Sequence, residues 1–168
     1  MFRQLFQTAA VICVIAVPTY AADLSAPQED VILTVSGPLE VTNVENTAQF
    51  DMDMLQSLDN TTFETRTIWT EGKHLFEGVF LAKLVEYLGI EGESLRATAI
   101  NDYAVEIPLE DAVEEGPIIA YKMDGEIMSL RDKGPLWIVY PFDTNSSYST
   151  EMTYARSIWQ LDRIEVLD

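Results

Sequence analysis

The stretch Phe63-Glu64-Thr65-Arg66-Thr67-Ile68-Trp69-Thr70 and the nearby Phe80-Leu81-Ala82-Lys83-Leu84-Val85-Glu86-Tyr87-Leu88-Gly89 decide the fold class. In the first, Phe63, Thr65, Thr67 and Trp69 share one face, and Glu64, Arg66, Ile68 and Thr70 the other. A period of two with aromatic and β-branched residues predicts a strand. In the second, Leu81, Leu84, Val85 and Leu88 recur at i, i+3, i+4 and i+7. That is one apolar stripe on a helix over Phe80–Leu88, and Gly89 is the residue type that ends a helix in the left-handed region. Gly72 and Gly78 bracket an expected loop holding Lys73, His74 and Phe76.

Upstream, Val31–Ser36 reads as a strand stopped by Gly37-Pro38, Thr42–Thr47 as a turn, and Asp51 as the N-cap of a short helix over Met52–Leu58. Downstream, Leu95–Ile100 and Ala104–Ile107 read as strands around the turn Asn101-Asp102-Tyr103. Pro108 can open a short helix over Leu109–Val113. Ile118–Met123 and Glu126–Met128 flank Asp124-Gly125, a pair favoured where both turn residues need positive φ. After the Lys133-Gly134-Pro135 turn, the apolar run Leu136–Tyr140 predicts a buried strand. Phe142–Tyr154 reads as a long polar loop and Ile158–Leu167 as the closing strand. The inward parity of that strand changes between Leu161 and Ile164, which predicts a bulge or burial on both faces. Seven or eight strands and two or three short helices, without βαβ alternation, give an α+β fold with a mixed β-sheet and a barrel-like core.

The 168 residues carry 10 Lys and Arg against 28 Asp and Glu, a net charge of −18, with 48% apolar residues. The apolar share supports a folded core, and the length suits one domain. So acidic a chain repels polyanions, which excludes nucleic acid as a partner. Met1–Ala21 reads as a secretory signal. Arg3 supplies the charge, Ala9–Val17 is an apolar run too short to span a bilayer, and Thr19 and Ala21 are the small residues before cleavage. Cleavage after Ala21 leaves 22–168 as one domain, periplasmic or secreted, with no membrane span. It removes Arg3 but no acid, so the net charge moves to −19. It also removes Cys13, the only cysteine, so disulfides play no part.

One histidine and, after cleavage, no cysteine exclude a His/Cys zinc site and cysteine nucleophiles. No nucleophile elbow, phosphate-cradling loop or EF-hand spacing is present. His74 reads as a loop residue, and the acidic pairs Asp51/Asp53, Glu91/Glu93 and Glu114/Glu115 as solvated surface.

The order of motifs resembles the oxidoreductase molybdopterin-binding domain, the fold of sulfite oxidase and of periplasmic methionine-sulfoxide reductase catalytic subunits. The resemblance covers about Val31 to Val166. It runs through Gly37, Phe50–Leu58, Phe63–Thr70, Phe76-Glu77-Gly78-Val79 before the Leu-rich helix, Asn101-Asp102-Tyr103, Ile107-Pro108-Leu109, Ile119–Glu126, Lys133-Gly134-Pro135 and the strand from Trp159. It implies a sulfite oxidase-like fold. In the family, a Cys thiolate at the end of the strand matching Phe63–Thr70 ligates molybdenum together with the pterin dithiolene. Here that place reads Ile68-Trp69-Thr70-Glu71, without sulfur. The family's His-Gly-x-Pro-x-Arg turn is Lys133-Gly134-Pro135-Leu136-Trp137, without the Arg, although Arg131 and Lys133 stand nearby. The resemblance places Trp69, Tyr103, Arg131 and Lys133 around a cofactor-facing pocket. The expectation is an exported, non-catalytic module that binds a small anionic ligand or a protein partner and needs no cofactor. The alternative is an active molybdenum-pterin oxidoreductase of the periplasm, with molybdopterin as its cofactor.

Overall fold

The computed structural model describes residues 24–168, so the expected signal segment Met1–Ala21 lies outside the described residues. Two open five-stranded sheets share one apolar core. The first contains β1 (Leu33–Ser36), β2 (Thr47–Phe50), β5 (Ser94–Ala99), β6 (Ala104–Pro108) and β10 (Leu161–Leu167), in the order β2-β1-β10-β5-β6. Only β1 and β10 pair in parallel; the other neighbours are antiparallel. The second contains β3 (Asn60–Arg66), β4 (Lys73–Phe80), β7 (Ile118–Met123) and β8 (Glu126–Ile127), with β9 (Trp137–Val139) also paired to β7. The mixed α+β architecture matches the expectation, but the barrel-like core does not. Among the described residues neither sheet closes on itself, and both pack on a common cluster instead.

The helices are short. α1 (Met52–Ser57) starts at Asp51, whose buried carboxylate accepts hydrogen bonds from the Met54, Gln28 and Glu29 amides. Those bonds favour the ionised form and hold its pKa below the ordinary carboxylate value. α2 (Leu81–Leu88) buries Leu81, Leu84 and Leu88, and Gly89 ends it at φ 60° and ψ 43°. α3 (Glu151–Arg156) is capped by the Thr150 hydroxyl, which accepts from the Thr153 amide. Among the described residues no helix is long and apolar enough to cross a membrane.

Five local expectations change. β3 ends at Arg66, because the Thr67 hydroxyl accepts from the Trp69 amide and bonds the Thr70 hydroxyl, a local turn that competes with the ladder. The expected loop between Gly72 and Gly78 is instead β4, paired on both sides to β3 and β7. Gly78 had suggested a break, yet it serves close packing: a Cβ there would overlap the Ile119 carbonyl oxygen of β7. β2 begins inside the expected turn, its short run made a strand by pairing with β1. The expected loop Phe142–Tyr154 contains α3. The expected helix over Leu109–Val113 is a single 3-10 turn, Leu109–Asp111.

Other expectations hold. Asp124 and Gly125 take φ 55° and 85° in the β7–β8 hairpin. The register of β10 slips between Leu161 and Arg163, a bulge that keeps Leu161, Ile164 and Val166 all inward.

Candidate functional site

The two sheets meet at a seam between β9 and the start of β10. The Ile138 amide donates to the Ile158 carbonyl at 2.9 Å, the Leu161 amide to Leu136 at 3.0 Å, and Trp137 bridges Trp159. From Leu161 the chain enters the first sheet. Three further segments end here. The loop after β3 brings Trp69, the β5–β6 turn brings Asn101 and Tyr103, and α3 brings Tyr154 and Ala155. Together with Ser157–Gln160 they enclose a cavity of about 400 Å³.

Trp69, Tyr103, Tyr154 and Trp159 give the cavity its aromatic wall. The Trp69 ring meets Trp159, Trp137, Tyr154 and Phe142 edge to face, at centroid separations of 5.5, 5.8, 5.9 and 6.4 Å. Such contacts suit the ring quadrupoles and fix the indole. Tyr103 also lines the cavity, with 56% of its surface exposed, and Trp159 keeps 36%. The turn beneath Tyr103 is set by the Asn101 side chain, which accepts from the Tyr103 amide, and by Asp102 at φ 65°, which is paired to Arg163 at 2.8 Å.

α3 is anchored away from the cavity mouth. Asp111 Oδ2 accepts from the Tyr140 hydroxyl at 2.7 Å and from Arg156 Nη1 at 2.9 Å. Burial, then the neighbouring carboxylate, push the Tyr140 phenol well above its ordinary pKa. On the other side, His74 Nδ1 lies 2.7 Å from Asp124 and Nε2 lies 2.8 Å from the Glu71 carbonyl, in the loop that carries Trp69. His74 is therefore a strand residue with a carboxylate partner fifty positions away, not the expected loop residue.

Of the four sequence-derived candidates, Trp69 and Tyr103 line the cavity. Lys133 stands beside it: its Nζ lies 4.7 Å from the Trp159 ring centroid, and its carbonyl accepts from the Gln160 amide. Arg131 is exposed on the same turn and does not line the cavity. Tyr154, Trp159 and Gln160, which also line the cavity, lie outside the candidates that the sequence pattern marks. Their signal was an aromatic-rich tail whose helix, α3, lay hidden in a polar segment.

The place where the resemblance expects a molybdenum thiolate is the Thr67–Glu71 loop. Its side chains offer two hydroxyls, Thr67 and Thr70, bonded to each other at 2.8 Å, an indole packed among four rings, and the exposed Glu71 carboxylate, but no sulfur. The cavity lining offers no sulfur, imidazole or carboxylate, and no cluster of three metal-binding side chains occurs among the described residues. These residues do not fit a thiolate-held molybdenum–pterin group.

Comparison with solved structures finds the sulfane dehydrogenase SoxCD from Paracoccus pantotrophus, at TM-score 0.60 and 18% identity, over 81% of this chain. The match spans 38% of that chain, and at this identity it speaks for the fold alone. Comparison with curated proteins gives no match. The sequence profile described as the oxidoreductase molybdopterin binding domain matches residues 27–166. With that profile spanning both sheets and the seam between them, the chain belongs to the oxidoreductase molybdopterin binding domain family.

Proposed function

We propose that the protein is an exported, non-catalytic binding module on the molybdopterin-domain fold. Its aromatic cavity takes a small ligand or a side chain of a protein partner. One observation carries the reading: at the seam where the resemblance expects a metal-ligating thiolate, the chain places the Trp69 indole within a cavity of about 400 Å³. Pockets of this size, mostly apolar with a few polar groups, suit small ligands. The lining holds no histidine, carboxylate, lysine or cysteine, and its ionisable side chains are the Tyr103 and Tyr154 phenols. Export rests on the Met1–Ala21 segment.

The test is purification from a host that makes molybdenum cofactor, followed by metal analysis and pterin fluorescence. The expected result is substoichiometric molybdenum and pterin. Stoichiometric molybdenum with oxidase or reductase turnover lost in Trp69→Ala would overturn the proposal and establish the oxidoreductase reading that family membership favours.

A further inference from the structure

The distribution of charge around the cavity is unlike that of the rest of the molecule. The chain has 28 carboxylates, yet the cavity lining contains none. Three other concavities each carry acids: Glu40 and Glu91 in one, Asp59 and Glu86 in a second, and those two with Glu114 in a third. The cations divide in the opposite way. Seven of the basic side chains among the described residues form ion pairs, namely Arg66, Lys73, Lys83, Arg96, Lys122, Arg156 and Arg163. Among the described residues only Arg131 and Lys133 do not, and both belong to the turn that abuts the cavity. Asp132 stands between them, its carboxylate accepting from the Ser129 hydroxyl at 2.7 Å, so the turn carries one net positive charge beside a cavity lined by no carboxylate, a local positive site in so acidic a protein.

Resting on the binding-module reading, we propose that the ligand is a small planar aromatic anion. Its ring enters between Tyr103 and the Trp69–Trp159 wall, and its acidic group faces Lys133 and Arg131. The rings supply apolar area and edge-to-face contacts. Lys133 now lies over Trp159, with Nζ 4.7 Å from the centroid and 5.6 Å from that of Trp137. Rotation about its flexible stem brings the ammonium to the edge of the Trp159 ring without moving the backbone that holds Gln160. Gln160 is thereby the fixed member of the site and Lys133 the mobile one.

The test uses two probes with one ring system and opposite charges, 2-naphthoate and 2-naphthylmethylammonium, titrated calorimetrically into the purified protein at low salt. The expected result is that naphthoate binds about tenfold tighter, and that added salt narrows the gap. Arg131→Ala with Lys133→Ala lies on an exposed turn. It should weaken naphthoate about fivefold and leave the ammonium probe unchanged or tighter. Tyr103→Ala, at an exposed position, should weaken both probes, with thermal melts checking that the fold is intact. If both probes need Tyr103 but the ammonium binds as tightly as naphthoate, or the double variant leaves naphthoate unaffected, the charge assignment is overturned while the cavity reading stands. If neither probe binds, both fall.

Discussion

Replacing Asp111 by alanine tests what holds the cavity wall in place. Asp111 Oδ2 is the shared acceptor of the Tyr140 hydroxyl and the Arg156 guanidinium, at 2.7 and 2.9 Å. Tyr140 is 1% exposed, so its stranded hydroxyl finds no water and costs about 1–3 kcal/mol. Arg156 and Asp111 keep 22% and 17% of their side-chain surface. Arg156 can therefore partly rehydrate, and its loss adds about 1 kcal/mol rather than the roughly 3–5 of a sealed pair. The expected destabilisation is about 2–4 kcal/mol, roughly 5–15 °C in Tm for a domain of this size. Asp111→Asn keeps an acceptor for Tyr140 and loses only the charge, so it should cost about half as much. Urea melts followed by tryptophan fluorescence measure both variants. Because Arg156 ends α3, which carries Tyr154, the near-UV circular dichroism of the aromatic cluster should also change in the alanine variant. A cost below about 0.5 kcal/mol for Asp111→Ala, with an unchanged aromatic spectrum, would refute the anchoring role.

Leu84→Ala removes a side chain 1% exposed on the inner face of α2 and should cost about 2–5 kcal/mol in the same melts; a surface-like value would contradict its place in the core. The His74 pKa lies above its ordinary 6.5, chiefly through the Asp124 hydrogen bond, so this link contributes stability fully below about pH 6.5 and loses it as pH rises through the raised value. Thermal melts should therefore show stability declining above about pH 6.5, with the decline absent in His74→Gln, and equal slopes would exclude the link. Asp124 is shifted the opposite way, chiefly by His74, so its share is lost only in acid, as pH falls through its lowered value. N-terminal sequencing of exported protein should begin at Ala22, and material beginning at Met1 would remove the export proposal.

The parts of the fold legible in the sequence were those fixed by local chemistry. The Asp51 cap, the α2 stripe with Gly89, the Asp124-Gly125 hairpin and the β10 bulge each follow from residue types at fixed offsets. The parts that were not legible depend on distant partners. β4 contains Gly78, which weakens a strand reading, and only the β7 backbone packed against it explains the glycine. β2 is four residues long and exists through its pairing with β1. α3 is six residues, too short for a stripe to register, and is held by the Arg156–Asp111 pair across 45 positions. The site divides in the same way. Trp69 and Tyr103 were found because they flank recognisable elements, and Tyr154 was missed together with its helix. His74 lacked a visible partner because Asp124 stands on the far hairpin.

The same division shows how one fold can carry different chemistry at this seam. The β3–β4 ladder ends at the Arg66–Lys73 pair, and the Thr67–Gly72 loop beyond it is held by side chains instead: Thr67 with Thr70, and His74 with the Glu71 carbonyl. Exchanging a thiolate for an indole in such a loop breaks no strand pairing. The neighbouring rings of Trp137, Tyr154 and Trp159 then pack against the indole, so the position contributes to the core instead of opening a void. The shape of the seam follows from sheet topology, whereas its chemistry follows from a few loop residues free to vary independently of it. For that reason membership of a cofactor-binding family and a donor set unsuited to its metal coexist in one chain. On the binding-module proposal, walls lined by no carboxylate with Lys133 beside them are the guide to the charge of the ligand.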